Sequence, residues 1–316
     1  MSARGVSVVM RFVANYGIYF ALVGLFLVLT ATKPETFFST QNLLNILRQN
    51  SFTTILAVGM TLVILTGGID LSVGSVVALS GVIAAKVLGA GGGTILAILA
   101  ATLLGSAVGL VNAGLVTRVR IPPFLASLAM MLIVRGLAFR TTNARTVPIN
   151  NADMETFGVI SNGIFPALIM FGVIFAAWGM LRVTAFGRHA YAVGGNPEAA
   201  RLAGIGVNRT LLGVYLLCGT AAGFAGAMVA SRIGAGDPKS GMFFELDAVA
   251  ATVVGGTSLF GGRGSVLGTF AGALFIGILN NGLNLYQVNQ YEQQILKGLV
   301  LLAATSLDLW RGREEG

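Results

Sequence analysis

The sequence has 316 residues, of which 55% are hydrophobic and only 10% are charged. Since a soluble domain carries about 25% charged residues, a soluble globular protein is excluded. The 44 glycines stand beside only 7 prolines and follow no triplet period, which excludes collagen-like and low-complexity chains. The net charge of +8 is spread between apolar runs and forms no basic patch, so nucleic acid is not an expected partner. The composition therefore predicts an all-α polytopic membrane protein.

Uncharged stretches divide the chain into about ten predicted transmembrane helices, each needing roughly 20 residues. The first stretch, residues 12–32, follows Arg4 and Arg11 and lacks a cleavage site, so it is predicted to be an uncleaved first helix. Some runs are short, so Arg135 and Lys297 are expected near helix ends with their side chains reaching water. The remaining runs are residues 49–69, 71–85, 87–117, 121–134, 156–181, 210–231, 248–262, 264–291 and 298–307.

The basic residues between these runs predict the orientation, because positive residues are retained on the cytoplasmic side. The first helix should start inside, and an even number of helices then places both termini in the cytoplasm. Residues 1–316 thus form one transmembrane domain, whose longer connections are residues 140–163 outside and 183–210 inside. The predicted helices 2–5 and 7–10 have opposite topology and could form an inverted repeat, an arrangement common in transporters.

The inner loop at residues 183–210 contains a predicted short helix at about residues 196–204. Asn196 is a suitable cap, Pro197 suits the first helical position, and Glu198 in the first turn favours the helix dipole. Gly204 and Gly206 are expected to end the helix. An exposed helix of about two turns needs something to hold it in place. On the residues alone, lipid headgroups or another protein could do so.

Glycines mark two expected helix breaks and several close contacts. Gly67 and Gly68 separate two apolar runs, and residues 255–264 are glycine-rich. The second stretch lacks the Lys and Ser or Thr of a phosphate-binding loop, so it predicts a broken or tightly packed helix and no ATP site. Glycines four residues apart predict close helix packing, mostly within one subunit, at Gly105 with Gly109, Gly219 with Gly223 and Gly268 with Gly272.

Four longer motifs carry a family resemblance. Residues 198–204, EAARLAG, match the EAA-x-x-x-G motif, and LTGGIDLSVGS at 65–75, residues 245–269 and NNGLNL at 280–285 occur in the same order. The I-x-L-P residues that complete the fullest EAA motif are absent after Gly204. The chain resembles the branched-chain/monosaccharide permease family of ATP-binding-cassette importers, and its ribose-type permeases most of all.

The resemblance implies a type II importer fold in the bacterial inner membrane, a homodimer with the path along its axis, and a monosaccharide substrate of the ribose-like pentose kind. It further implies an ATPase chain with two nucleotide-binding domains and a periplasmic sugar-binding protein as partners. The inner helix would be the coupling helix, with Asn196, Glu198, Ala199, Ala200 and Gly204 as its contact residues. The subunit itself would be no enzyme.

Polar groups within the apolar runs are the candidate pathway residues. Asp70 either caps the helix after it or faces the pathway. A second group consists of the amides of Asn280, Asn281 and Asn284. Helical spacing predicts that Asn280, Asn284 and Gln287 share one helix face. These amides either form hydrogen bonds with a neutral sugar or pack between helices.

Reactive groups are few. Cys218 and His189 are the only residues of their types, which excludes an internal disulfide and leaves no catalytic constellation, metal site or cofactor to expect. An intramembrane aspartyl protease would need G-x-G-D, and Ile69 precedes Asp70. The remaining alternative is a secondary sugar transporter or facilitator without an ATPase partner.

Overall fold

In the computed structural model the backbone is described for residues 3–314 and the side chains for residues 17–306 except Asn151. Fourteen α-helices, a π-helical turn at Leu115–Val119, a 3-10 turn at Gly158–Ile160 and a two-stranded sheet form the regular structure of this part of the chain. The helices are α1 (Ala3–Thr32), α2 (Pro34–Phe37), α3 (Thr40–Leu65), α4 (Val73–Gly89), α5 (Gly93–Gly114), α6 (Pro123–Thr142), α7 (Asn151–Phe157), α8 (Phe165–Val183), α9 (Ala185–Gly195), α10 (Pro197–Leu202), α11 (Val207–Ile233), α12 (Phe244–Val254), α13 (Val266–Leu285) and α14 (Gln290–Glu314). The strands β1 (Val147–Pro148) and β2 (Ala235–Gly236) pair antiparallel.

Length and hydropathy make this a polytopic membrane protein, as the composition predicts. Within the described residues, five helical segments are long and apolar enough to cross a membrane, and two shorter apolar helices accompany them. The five are Gly93–Val119, Pro123–Thr142, Phe165–Val183, Val207–Ile233 and Val266–Leu285, and the shorter two are Gly17–Thr32 and Val73–Gly89.

Helices α3 and α11 lie side by side at the centre, with α5 against α11 and α13 against α3. Small residues let these backbones approach, because each lacks the Cβ that would separate them. A Cβ on Gly105 would lie 2.2 Å from the Gly219 carbonyl oxygen, and one on Gly272 would lie 2.1 Å from that of Ala251. The predicted close glycine contacts are therefore confirmed within one subunit.

Both predicted helix breaks are confirmed. Helix α3 ends at Leu65, Gly67 has φ +77°, and α4 begins only at Val73. The second break lies between α12 and α13, where four glycines have positive φ. These are Gly256, Gly261, Gly262 and Gly264. Helix α12 has only 11 residues, about half of what a membrane crossing needs.

Three predictions about polar residues are wrong. Arg135 lies inside α6, where its Nη1 donates to the Pro238 and Ser240 carbonyl oxygens at 3.0 and 2.7 Å. Lys297 lies inside α14 and binds Asp247. Gln287 lies beyond the end of α13 with φ +57°, so it does not share that helix face. In the two charged cases a partner within the protein replaces water, which a count of apolar residues along one segment does not reveal.

Candidate functional site

Helix α10 begins as the sequence predicts. Asn196 has extended backbone angles, φ −160° and ψ 104°, and its side-chain oxygen accepts a hydrogen bond from the Ala199 N–H at 2.9 Å. Pro197 fills the first helical position, where a missing N–H costs nothing, and Glu198 lies in the first turn, where the helix dipole favours an anion. The local sequence is therefore sufficient to start this short helix.

The end of α10 depends on Gly204. This residue has φ +80°, its N–H donates to the Arg201 carbonyl oxygen, and the Ile205 N–H donates to that of Ala200, both at 3.0 Å. A left-handed residue after the last turn closes a helix in this way, and glycine adopts that conformation without steric cost.

Helix α10 is anchored on one side and exposed on the other. Ala200 is buried against Val193 and Val207. Glu198 and Arg201 form an exposed ion pair at 2.6 Å, and Leu202 is 90% exposed. Glu198, Arg201 and Leu202 therefore lie on the exposed side of α10, opposite the buried Ala200.

Helix α9 connects α8 to α10 and was not predicted as a separate element. Its cap is Thr184, whose hydroxyl oxygen accepts from the Gly187 N–H at 3.3 Å. Gly187 lies so close to Leu181 that a Cβ there would be 2.2 Å from the Leu181 carbonyl oxygen. The turn from α8 into α9 is therefore tight, and α9 has little freedom to swing relative to α8.

The C-terminal end of α9 contacts both helix breaks. A Cβ on Gly194 would lie 1.7 Å from the Leu65 carbonyl oxygen and 2.5 Å from the Gly262 nitrogen. The Gly262 N–H donates to that same Leu65 oxygen at 2.9 Å, and a Cβ on Gly261 would lie 2.9 Å from the Gly67 nitrogen. We call these five residues the glycine junction. Its backbones touch without side chains between them.

A second contact ties α9 to the glycine-rich loop. The Tyr191 hydroxyl donates to the Gly264 carbonyl oxygen at 2.8 Å. Burial raises the pKa of the Tyr191 phenol, so the hydroxyl keeps its proton at neutral pH and remains a donor. The glycine junction and the Tyr191 bond thus connect α9 to the end of α3 and to the loop between α12 and α13.

The predicted pathway carboxylate, Asp70, is satisfied inside the protein. It is 1% exposed, and its Oδ1 accepts from the backbone N–H and the hydroxyl of Ser72 at 2.9 and 2.6 Å. The Asn112 amide donates to it at 3.3 Å. Ser72 is the N-cap residue of α4 and makes no side-chain cap bond itself, so Asp70 bonds just before the helix, and its role as cap or pathway group stays a prediction.

The predicted amides lie near the other end of α13 and differ from one another. Asn281 and Asn42 of α3 bond reciprocally through their side chains at 2.8 and 3.0 Å. Asn284 is exposed and accepts from the Gln293 amide at 2.8 Å. Asn280 is half-buried, and its Oδ1 has no hydrogen-bond partner. The nearest of these amides, Asn280, lies about 14 residues, or about 21 Å, from the start of α13 at the glycine junction end.

Charged residues at the start of α12 form a further cluster. Glu245 and Asp247 lie in its first turn, Lys297 of α14 binds Asp247 at 2.9 and 3.2 Å, and Arg135 of α6 attracts Glu245. The acidic first turn is favoured by the helix dipole. Lys297 thus ties α14 to the start of α12, while Arg135 donates its hydrogen bonds to the segment before α12. Among the described residues, no group of three His, Cys, Asp or Glu is placed to bind a metal.

Comparison with known proteins assigns the family. The model of the family described as branched-chain amino acid transport system / permease component matches residues 42–305. The chain belongs to this permease family. The match includes α3 and α10 and continues into α14, so it covers the coupling candidates and the pathway candidates alike. No solved structure matches the chain significantly.

Curated members of the family include close relatives. The chain is 46% identical to the ribose import permease protein RbsC of Escherichia coli, with 91% of each chain covered. It is 42% identical to the RbsC of Haemophilus influenzae over 96% of each chain. It is 38% identical to the L-arabinose ABC transporter permease protein AraH of Azospirillum brasilense, over 98% of this chain and 91% of that one. Family and apolar helices together identify a multi-pass protein of the bacterial inner membrane.

Several residues of this permease were missed at the sequence level. Leu202 stands inside the EAARLAG motif, but its type gives no sign of exposure. Gly194 looks like any other of the 44 glycines. That Arg135 and Lys297 need partners inside the protein could have been predicted, because each is a lone charge in an apolar run, but the identity of those partners could not.

Proposed function

We propose that this chain is the transmembrane permease subunit of an ATP-driven importer of a monosaccharide, ribose or a close pentose. Family membership supports the class of transporter. The choice of sugar rests on the three relatives compared, because sequence identity is higher to the two ribose permeases than to the arabinose permease. The subunit performs no chemistry of its own, and a separate ATPase hydrolyses ATP.

The proposed topology has ten membrane helices with both termini in the cytoplasm. The ten are α1, α3, α4, α5, α6, α8, α11, α12, α13 and α14. This arrangement puts α9 and α10 on the cytoplasmic side, between the sixth and seventh membrane helices. Both helix breaks lie at the same end as α9, which supports a common side for these segments.

Equivalent packing supports an inverted repeat of α3–α6 and α11–α14. Helix α5 lies on α11 as α13 lies on α3, and α4 contacts α6 as α12 contacts α14. In each half a long helix is followed by a short one, α4 or α12. Inverted repeats of this kind place a transport path at the interface of the halves.

Coupling would proceed through α10. An ATPase with two nucleotide-binding domains would cover Glu198, Ala199 and Leu202, and its closure on ATP would displace α10. The backbone at Gly194 packs directly against the other backbones of the glycine junction and leaves no free space there. A movement of α10 would therefore displace both helix breaks and would not be absorbed by a flexible linker. The membrane helices would then exchange between two arrangements that open on opposite sides.

The path is proposed to run along the axis of a homodimer, receiving the sugar from a periplasmic binding protein. Asn280 and Asn284 are the stronger pathway candidates, because one has an unpartnered oxygen and the other is exposed. The side chains of Asp70 and Asn281 form hydrogen bonds with residues of the same subunit. The alternative of a transporter without an ATPase receives no support from the family match.

A matched pair of charge reversals tests the proposal. Glu198→Lys alters the exposed first turn of α10, and Glu292→Lys alters the exposed first turn of α14 at the other end of the subunit. Both variants are expressed with the ATPase and binding protein, and uptake of labelled ribose is measured together with co-purification of the ATPase. We expect Glu198→Lys to abolish both and Glu292→Lys to preserve both. Ribose uptake that persists without the ATPase would refute the proposed function.

A further inference from the structure

A cavity of about 250 Å³ lies between α8, α9 and α13, beside the tight turn that leads into α9. It is lined by Trp178, Leu181, Arg182, Tyr191, Ser265 and Val266. Pockets that bind a whole small molecule usually have volumes of about 300 Å³ or more. The smaller volume of this cavity therefore suits one part of a larger molecule. The cavity is separate from α10 and from the predicted pathway amides, and of its lining residues only Tyr191 takes part in the α9 contacts described above.

One positive charge dominates the cavity. The Arg182 guanidinium lies over the Trp178 ring at 5.4 Å from its centroid. Among the described residues, Arg182 has no acidic partner, so its charge is available to an anion. The Ser265 hydroxyl accepts from the Gly268 N–H at 2.9 Å, which leaves its own proton free to donate. A phosphate group has the charge and the acceptor oxygens for both donors.

We propose that this cavity binds the phosphate headgroup of an anionic phospholipid. Trp178 lies about one and a half turns before the end of the membrane helix α8, the level at which Trp and Tyr concentrate in membrane proteins. Leu181 and Val266 provide apolar walls, and the neighbouring Leu267 is exposed on the flank of α13. Acyl chains therefore have an apolar surface to follow, which a free phosphate would not use.

The position of the lipid gives it a structural consequence. It would bridge α8, α9 and α13 beside Tyr191, which already bonds the loop before α13. The headgroup would thus hold α9 against the membrane helices at the point where motion of α10 enters them. This role does not require the proposed sugar, and lipid binding can be measured on the permease without its ATPase.

The two tryptophans of the chain, Trp178 and Trp310, allow a direct test. In full-length Trp310→Phe, Trp178 is the single tryptophan and is excited selectively over the six tyrosines. Its quenching by phosphatidylglycerol with brominated acyl chains is compared with that by brominated phosphatidylcholine. We expect phosphatidylglycerol to be preferred about fivefold, the factor that corresponds to about 1 kcal/mol for one basic residue at an anionic surface. Adding Arg182→Gln should make the two lipids equal.

The matched control is Arg188→Gln, an exposed arginine on α9 that donates to the Val183 carbonyl oxygen. It should keep the preference for phosphatidylglycerol. Equal quenching by both lipids in the Trp310→Phe protein, or a preference that survives Arg182→Gln, would overturn the proposal. Loss of the preference on adding inorganic phosphate at constant ionic strength would assign the cavity to free phosphate and overturn the lipid assignment. Size-exclusion chromatography confirms that each variant is folded before quenching is measured.

Discussion

Replacing Gly194 with alanine adds one methyl group at the most crowded point of the glycine junction. The new Cβ would lie 1.7 Å from the Leu65 carbonyl oxygen, whereas ordinary contacts begin at about 3.4 Å. The end of α9 and the end of α3 must therefore separate by about 1.7 Å. The same Cβ would lie 2.5 Å from the Gly262 nitrogen, so it crowds both ends of the 2.9 Å hydrogen bond from the Gly262 N–H to the Leu65 oxygen.

The cost of this change is estimated from two contributions. Losing the Gly262 hydrogen bond costs about 1 kcal/mol net. Forcing a methyl group into a packed site costs about 1–3 kcal/mol more. The total of about 2–4 kcal/mol acts against every conformation in which the junction is intact. A bias of about 2 kcal/mol already shifts a conformational equilibrium by about 30-fold, so uptake should fall strongly.

The neighbouring residue provides the control. A Cβ on Gly195 meets nothing within 4 Å, and both glycines lie in the last turn of α9. Thermal unfolding in detergent and labelled-sugar uptake are measured for Gly194→Ala and Gly195→Ala. We expect the first to be destabilised and impaired in uptake while the ATPase still co-purifies, and the second to match the wild type. Equal behaviour of the two variants would refute the role of the junction.

Three further changes test other contacts. Asn42→Leu should lower the free energy of unfolding by about 1–3 kcal/mol because it leaves the Asn281 amide unpaired, and adding Asn281→Leu should restore part of the loss in a double-mutant cycle by thermal unfolding. Lys297→Met should destabilise the protein more than the double variant with Asp247→Leu, since the single change leaves a partly buried carboxylate without its cation. Asn280→Leu should lower uptake at unchanged thermal stability, and normal uptake would place this amide in helix packing.

Local sequence rules predict α10 well. Asn196, Pro197 and Glu198 act through bonds to residues three positions away or through the dipole of the same helix, so their spacing contains the needed information. The helix breaks at Gly67 and in residues 255–264 follow for the same reason, because glycine interrupts apolar runs locally.

Contacts between distant segments could not be predicted in this way. The glycine junction brings together Leu65, Gly194 and Gly262, which are far apart in the chain, and nothing in their residue types indicates which glycine meets which backbone. The partners of Arg135 and Lys297 were missed for a related reason. A run of apolar residues shows that a charge is unusual, but only the packing shows that Arg135 donates to the Pro238 carbonyl oxygen and that Lys297 pairs with Asp247.

Site-specific crosslinking at α10 tests the central claim most directly. A photo-reactive residue replaces Leu202, which is 90% exposed on the helix, or Tyr291, which is 79% exposed at the start of α14. Each variant is irradiated in membranes that contain the ATPase, and the crosslinked products are identified by mass spectrometry. We predict a crosslink to the ATPase from position 202 and none from position 291. A co-purifying ATPase that crosslinks at 291 and not at 202 would contradict the assignment of α10 as the coupling helix.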